Sequence, residues 1–196
     1  MANLAELIAK TGATIEQIRE HLDALSASER TAQVVALGRK QQELLWELAE
    51  TDPQKLTMDY LVPEGTDPLK PIPFEGKNSL PVFTRFRKVF YRLADGRVAG
   101  YNDQKMGRIT GPGYYIAHPS PEGAPGPLVV DYTMIPNEHP AGWPEIKHNE
   151  SGLSRFVYGG MHDFLRYVSD RVIIGRAYRA QDGSAMSNWF MLVKPE

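Results

Sequence analysis

Apolar residues recur at helical spacing through the first fifty residues of the chain. The first apolar stripe begins at Leu4 and stops before Gly12, and the second follows a capping box formed by Thr14 and Gln17. The longest helix is predicted over Ala27–Glu50, because good helix formers fill the positions between its apolar residues. Its apolar side consists of Val34, Leu37, Leu44, Leu45 and Leu48. The pattern therefore predicts a helical segment over residues 1–52.

Proline and glycine are dense between residues 53 and 80. Pro53 ends the preceding helix, because the residue before a proline is forced out of the α region. The composition predicts an irregular connection that runs over the surface, with one short strand at Leu56–Val62. This connection separates the helical segment from a body at residues 81–196.

The body has the composition and alternation of β-strands. A hairpin turn is predicted at Asp95-Gly96, where aspartate followed by glycine favours a tight turn. The predicted strands are Val82–Leu93, Val98–Asn102, Arg108–Ile109, Tyr114–His118, Leu128–Ile135, Arg171–Ala180 and Asn188–Val193. An antiparallel series of this kind removes its exposed edges by closing into a barrel.

The pattern of residues 156–169 is ambiguous. Met161, Phe164, Leu165 and Val168 recur at helical spacing, which favours a short helix near residues 160–169. The predicted fold class is therefore α+β, with N-terminal helices followed by an antiparallel β-barrel that carries one short helix.

Composition narrows the classes of partner. The 196 residues carry a net charge of −2 and include no cysteine, so we expect no nucleic-acid binding and no thiolate metal site. We also expect no transmembrane helix, no membrane partner and a cytoplasmic location, because no long apolar run and no basic block occurs. Cofactor motifs such as a glycine-rich nucleotide loop are absent, and no cofactor is predicted.

Three stretches of the body resemble the lipocalin-like, or calycin, small barrels of bacterial proteins. They are Arg108-Ile-Thr-Gly-Pro-Gly-Tyr-Tyr115, Leu128-Val-Val-Asp-Tyr132, and the final hairpin with Val172-Ile-Ile-Gly-Arg-Ala-Tyr178 and Asn188-Trp-Phe-Met-Leu192. The resemblance covers roughly Phe83 to the C-terminus. The Gly-x-Trp-x-Gly signature of several such families is replaced here by Gly111-Pro-Gly-Tyr-Tyr115. The resemblance implies a lipocalin-like barrel whose interior holds a small apolar molecule.

Two charged residues share strand faces with apolar ones. Arg176 alternates in phase with Val172 and Ile174, and Asp131 alternates in phase with Val129. One interpretation is an Arg176–Asp131 pair that orients a ligand inside the barrel. The other, which we favour, is an ion pair or a capped arginine without a ligand role.

Aromatic residues are frequent on the predicted strands, and a tyrosine combines apolar contact area with a hydroxyl group. Strands also favour aromatic residues for packing alone. The candidate ligand-binding residues are Tyr91, Tyr101, Tyr115, Asp131, Tyr132, Arg176, Tyr178 and Trp189.

The strand that contains Tyr91 has two distinct faces. Arg85, Arg87 and Tyr91 share one face, and Val82, Phe86 and Phe90 share the other. We favour the second face as the core, because it buries more aromatic surface.

Histidines give little chemistry. His139 and His148 share a loop with Glu138 and Glu145, for which solvated side chains are favoured over a metal cluster, so no metal is predicted. His162-Asp163 on the predicted helix is a general-base candidate, with an unpaired surface histidine as the favoured alternative.

Three functions remain open at this point. The favoured one is the binding of a small hydrophobic metabolite inside the barrel, and no catalytic residue is assigned. The alternatives are a cofactor-free cyclase, isomerase or lyase acting in the same cavity, and an interaction module whose N-terminal helices recruit a partner. Whether the chain forms a homodimer also stays open.

Overall fold

The computed structural model describes residues 3–52, 54–81, 84–103, 112–147, 149 and 159–196. Its helices are α1 (Leu4–Ala9), α2 (Ile15–Asp23), α3 (Ala27–Ala36), α4 (Arg39–Leu48) and α5 (Met58–Leu61). Its strands are β1 (Ile72–Asn78), β2 (Arg85–Arg92), β3 (Val98–Asp103), β4 (Tyr115–Pro119), β5 (Leu128–Asp131), β6 (Met161–Ser169), β7 (Val172–Arg179) and β8 (Ala185–Val193).

These eight strands form one closed antiparallel barrel in sequence order, in which β8 pairs with β1. Closure leaves no unpaired edge, which removes the aggregation hazard of an open sheet. The α+β fold class is thus confirmed, and the barrel is compatible with a lipocalin-like fold. No helix in the described residues is long and apolar enough to cross a membrane.

The N-terminal helices begin as their capping signals predict. The predicted capping box of Thr14 with Gln17 is formed, and Ser26 with Glu29 forms a second one at the start of α3. The predicted long helix over Ala27–Glu50 is wrong, however, because the chain is extended at Leu37 and Gly38 and divides it into α3 and α4. Glycine is a poor helix residue, and the break rotates the apolar side of α4.

Rotation of α4 changes which of its residues are buried. Trp46 is buried against the barrel, whereas Leu44, which was predicted on the apolar side, is 38% exposed.

The connection at residues 53–80 contains more structure than its composition predicts. The segment predicted as a strand forms helix α5, and strand β1 lies further along the chain at Ile72–Asn78. Strand β8 pairs only with residues 75–78 of β1, so Pro73 lies outside this pairing. Pro73 has no backbone N–H, and at this position none is needed for a hydrogen bond to β8.

Residues 161–169 form strand β6, and the predicted helix near residues 160–169 is wrong. Leu165 and Tyr167 pack in the barrel interior, whereas Phe164 and Val168 pack outside beneath the N-terminal helices. Apolar residues lie on both faces of β6, so they do not alternate with polar residues as they do in a half-exposed strand. Met161, Phe164, Leu165 and Val168 therefore fall at helical spacing although they belong to a strand.

Strand β5 is shorter than predicted. It ends at Asp131, whose carboxylate accepts hydrogen bonds from the backbone N–H and the hydroxyl of Thr133 at 2.7 and 2.6 Å. This side-chain turn stops the ladder before Ile135. The predicted strand at Arg108–Ile109 and the residues Val82 and Phe83 lie outside the described residues.

Two apolar clusters lie on the two sides of the barrel wall. The inner cluster contains residues from all eight strands together with Leu56, Leu61 and Val62 from the α5 region. The outer cluster joins α1–α4 to the outward side chains of β6, β7 and β8. The helices therefore cover the outer wall of these three strands, and α5 closes one end of the barrel.

Candidate functional site

A lysine crosses the barrel interior. Lys88 of β2 forms an ion pair with Asp163 of β6, with Nζ 2.9 Å from Oδ2. Three strands separate β2 from β6 in either direction around the closed barrel, so the pair joins opposite walls. Lys88 is 1% exposed and Asp163 is 3% exposed. A charge pair buried this deeply loses its hydration and depends on its partners for stability.

Tyr132 and Asn102 complete a polar cluster around this ion pair. The Tyr132 hydroxyl accepts hydrogen bonds from Lys88 Nζ at 2.6 Å and from Asn102 Nδ2 at 2.8 Å, and donates to Asp163 Oδ2 at 3.1 Å. We call Lys88, Asn102, Tyr132 and Asp163 the polar cluster. Its members come from β2, β3, β6 and the turn after β5, which the barrel brings together from distant parts of the chain.

Aromatic rings surround the ammonium group of Lys88. Its Nζ lies 4.8 Å from the ring centroid of Tyr115, 5.0 Å from that of Tyr132 and 5.1 Å from that of Phe190. Such contacts attract a cation. Burial nevertheless lowers the pKa of Lys88, against the opposing influence of the Asp163 carboxylate.

Three inward aromatic rings lie over glycines of the neighbouring strand. Phe86 is paired with Gly76, Tyr115 with Gly100 and Phe190 with Gly175. A β-carbon built on any of these glycines would approach the paired ring to between 2.1 and 2.7 Å, so only glycine leaves room for the ring. The glycines thus allow three large rings to lie against the inner wall near the polar cluster.

The polar cluster lies toward the barrel end opposite to α5. The Tyr60 hydroxyl of α5 donates to the carbonyl of Ser169 at the β6–β7 turn, which belongs to the closed end. Asp163, in contrast, is near the start of β6, and Asn102 is near the end of β3. The interior between the cluster and α5 is occupied by apolar residues, so the cluster is the polar floor of the other end.

Two of the residues predicted to bind a ligand face the interior. Tyr115 and Tyr132 both belong to the inner cluster, and their rings are 5.4 Å apart. The Tyr115 hydroxyl donates to the carbonyl of Val89 at 2.9 Å, and the Tyr132 hydroxyl is the centre of the polar cluster.

Arg176 and Asp131 do not form the interior pair that one of the two interpretations of the sequence proposed. Both share the outward faces of their strands, and they have different partners. The Arg176 guanidinium donates to the carbonyl of Met186 at 3.1 Å and lies 4.8 Å from the Trp189 ring. Asp131 lies between His118 and His162 on the outer wall, 3.7 and 3.3 Å from their Nε2 atoms.

The remaining predicted residues also lie outside the barrel. Tyr91 packs with Leu93, Ala99 and Ile116, and Tyr101 lies against Trp143 with ring centroids 3.9 Å apart. The other two, Tyr178 and Trp189, pack beneath the N-terminal helices. A ligand in the barrel interior would therefore meet none of these four side chains.

The histidine candidates change their meaning in the structure. Because residues 161–169 form a strand, His162 faces outward while Asp163 faces the interior. His148 lies outside the described residues, and His139 contacts Tyr114 and the carbonyl of Pro140. Among the residues described, no group of three or more histidine, aspartate or glutamate side chains is arranged to hold a metal ion.

Sequence reasoning missed Lys88 and Asn102, and it named Asp163 only as part of a His162-Asp163 general-base candidate on a helix. A signal existed for Lys88. The face with Phe86 and Phe90 is the core face, as predicted. Lys88 lies between them in the sequence and on the same face of the strand. A lysine in phase with two buried phenylalanines indicates a buried cation with a partner. Asp163 was hidden by the wrong helix prediction, since only a strand places it in phase with Leu165 and Tyr167.

Comparison of the chain with protein-family models, curated proteins and solved structures finds no match. Its fold and its candidate site are therefore defined by its own residues and their geometry.

Proposed function

We propose that this protein binds a small, largely apolar molecule inside its barrel, with the polar cluster at the floor of the binding site. The observation that carries the proposal is the Lys88–Asp163 pair, which is buried in the interior and surrounded by aromatic rings. Small-molecule sites combine apolar walls with a few convergent polar groups, and this interior has both.

The cost of burial supports the same proposal. Packed apolar residues of similar volume often give equal or greater stability than a buried ion pair, so stability alone is a weak reason for Lys88 and Asp163. Perturbed, buried titratable groups cluster at functional sites. The pKa of Lys88 is lowered by burial, and its amine contacts the Tyr132 hydroxyl. A role toward a bound molecule accounts for these groups.

That contact between an amine and a phenol also favours a second candidate, a cofactor-free enzyme acting on the same kind of molecule. A lysine of lowered pKa and a tyrosine at 2.6 Å can pass a proton to or from a substrate held beside them. Such an enzyme would show turnover of its ligand, whereas a carrier would return it unchanged.

Native mass spectrometry of the protein purified without organic solvent is the first test. We expect a co-purifying small molecule, or one bound equivalent of the neutral fluorescent probe N-phenyl-1-naphthylamine when it is added. Titration of the probe into Tyr132→Phe and Tyr101→Phe then locates it, because the first tyrosine faces the interior and the second the exterior.

The proposal predicts different probe affinities for the two variants. An interior site requires a change in probe affinity for Tyr132→Phe and none for Tyr101→Phe. A mass without ligand, together with no probe fluorescence above that of buffer, would contradict the proposal. Equal responses of the two variants would place the probe on the surface and would contradict it as well.

A further inference from the structure

We infer that the ligand of this site is a neutral molecule with a hydroxyl group, which donates a hydrogen bond to the side-chain oxygen of Asn102. This inference rests on the proposed function and adds the chemical class of the ligand. Asn102 is 5% exposed, and its Oδ1 is buried without a hydrogen-bond partner among the described residues. A buried acceptor that stays unmatched is costly, so a bound donor would recover that cost.

The orientation of the Asn102 amide follows from the hydrogen bonds of the polar cluster. An ionised Asp163 only accepts, and the single hydrogen of the Tyr132 hydroxyl is donated to it. The Asn102 group that faces the Tyr132 oxygen must therefore donate, which identifies it as the NH₂. The carbonyl oxygen is then directed away from Tyr132 and requires a donor from elsewhere.

Charge balance excludes an anionic ligand. Asp163 already neutralises Lys88 at 2.9 Å, so the cluster has no net charge when both are ionised. A carboxylate ligand would place a second negative charge close to Asp163 in a poorly hydrated interior, where like charges repel strongly. A cationic ligand would meet the Lys88 ammonium in the same way. A neutral hydroxyl group satisfies Asn102 without adding charge.

Three naphthalene derivatives that are substituted at the same ring position test the inference on the full-length protein at neutral pH. They are 2-naphthol, 2-methoxynaphthalene and 2-naphthoate, and each is used to displace N-phenyl-1-naphthylamine. We expect 2-naphthol to bind about ten- to a hundredfold more tightly than 2-methoxynaphthalene, because the ether leaves the buried acceptor unmatched. We expect 2-naphthoate to bind most weakly of the three.

Asn102→Leu provides the second measurement, with Tyr101→Phe as its control. Loss of the acceptor should abolish the preference for 2-naphthol over 2-methoxynaphthalene while the fluorescent probe still binds. The control should keep the full preference, because Tyr101 lies on the outer wall against Trp143.

The outcomes separate the two proposals. If the probe binds but 2-naphthol and its methyl ether have equal affinity for the wild-type protein, the hydroxyl inference fails and the binding function stands. A preference that persists in Asn102→Leu also overturns the inference. If neither the probe nor any naphthalene binds, both proposals fail. The wild-type comparison needs no variant, so it holds even where Asn102→Leu does not fold.

Discussion

Lys88 and its neighbour Arg87 both form ion pairs, but on opposite sides of the barrel wall. Lys88 reaches Asp163 through the interior, whereas Arg87 pairs with Asp103 of β3 on the outside, where both side chains are at least one-third exposed. Strand β2 thus contributes the basic residue of two ion pairs, one buried and one exposed to solvent. Each pair can serve as a control for the other.

Substitution of Lys88 by methionine should destabilise the protein by about 3–5 kcal/mol, because it leaves the Asp163 carboxylate buried without its partner. The double variant Lys88→Met/Asp163→Leu should regain most of that loss, since no charge is then buried. Arg87→Met should cost less than about 1 kcal/mol, because exposed pairs contribute little. Urea unfolding followed by circular dichroism measures all three, and equal effects of the two single substitutions would contradict the assignment of Lys88 to the interior.

Gly175 and Phe190 give a second stability prediction. A β-carbon on Gly175 would lie 2.1 Å from the Phe190 ring, and Gly175 is not among the glycines with positive φ, so the conflict is one of space alone. We expect Gly175→Ala to cost about 1–3 kcal/mol, as overpacked cores do. The same substitution beside Phe190→Leu should cost less, and a double-mutant cycle measures the difference. Additive costs would show that the ring does not lie on Gly175.

The strand pattern predicted most of the fold because local and global signals agree there. The hairpin at Asp95-Gly96 and the C-terminal hairpin have tight turns between alternating strands, and both are confirmed. Strand β6 and the break at Gly38 were missed for a shared reason. Helices α1–α4 bury the outer face of β6, and the barrel in turn selects which side of α4 is buried, so in each case the deciding partner lies far away in sequence.

The candidate site was less predictable than the fold. The alternation of side chains along β2 identifies its inner face, and Lys88 could have been found from that alternation. The choice between a surface lysine and a buried one depends on Asp163, which is on the opposite wall and was assigned to a helix. Aromatic content placed Tyr115 and Tyr132 among the candidates, together with four aromatic residues that line the outer wall instead. Because helices and loops also bury aromatic residues on the outer wall, residue type alone does not identify the residues that face the interior.

Arg166 is expected to hold helix α4 on the barrel. Its Nε donates to the carbonyl of Pro125 and its Nη1 to that of Trp46, both at 2.7 Å, and its guanidinium lies 4.1 Å from the Trp46 ring centroid. Arg166→Lys keeps the charge but loses this planar fork, so we expect a loss of about 1–3 kcal/mol and a change in tryptophan fluorescence. Arg179→Lys, at an exposed position, is the control and should change stability by less than about 0.5 kcal/mol. An unchanged Arg166→Lys would indicate that α4 docks through apolar contacts alone.

Removal of residues 1–50 tests whether the helices form a separable interaction module. The outer faces of β7 and β8 that they cover present a continuous apolar surface, which consists of Val172, Ile174, Trp189, Met191 and Val193. Exposure of such a patch causes aggregation, so we expect the truncated body to be insoluble or to elute as large aggregates in size-exclusion chromatography. A soluble, monomeric and folded barrel would instead favour helices that recruit a partner.

Buried tyrosines predict a loss of stability at alkaline pH. Burial raises the pKa of Tyr60, Tyr91, Tyr114 and Tyr167, because it disfavours the charged phenolate. Above about pH 10 the unfolded chain releases these protons while the folded protein retains them. The stabilisation is therefore complete below that pH and falls as the pH rises toward the folded-state values. Burial lowers the folded-state pKa of Lys88, so this lysine makes the stability of the protein rise with pH. Its effect ends at about pH 10.4, where lysine in the unfolded chain also loses its proton.

Tyrosinate absorbance and circular dichroism, recorded together during an alkaline titration, measure this effect. We expect the buried tyrosines to ionise in one cooperative step that coincides with the loss of the barrel's dichroism, since they become accessible to solvent only when the protein unfolds. Tyr91→Phe should reduce the size of that step, because Tyr91 is fully buried and one of the protons is then missing. Ionisation of all tyrosines near pH 10 with the dichroism unchanged would contradict their burial, and with it the packing of α5 and of the loop around Trp143 against the barrel.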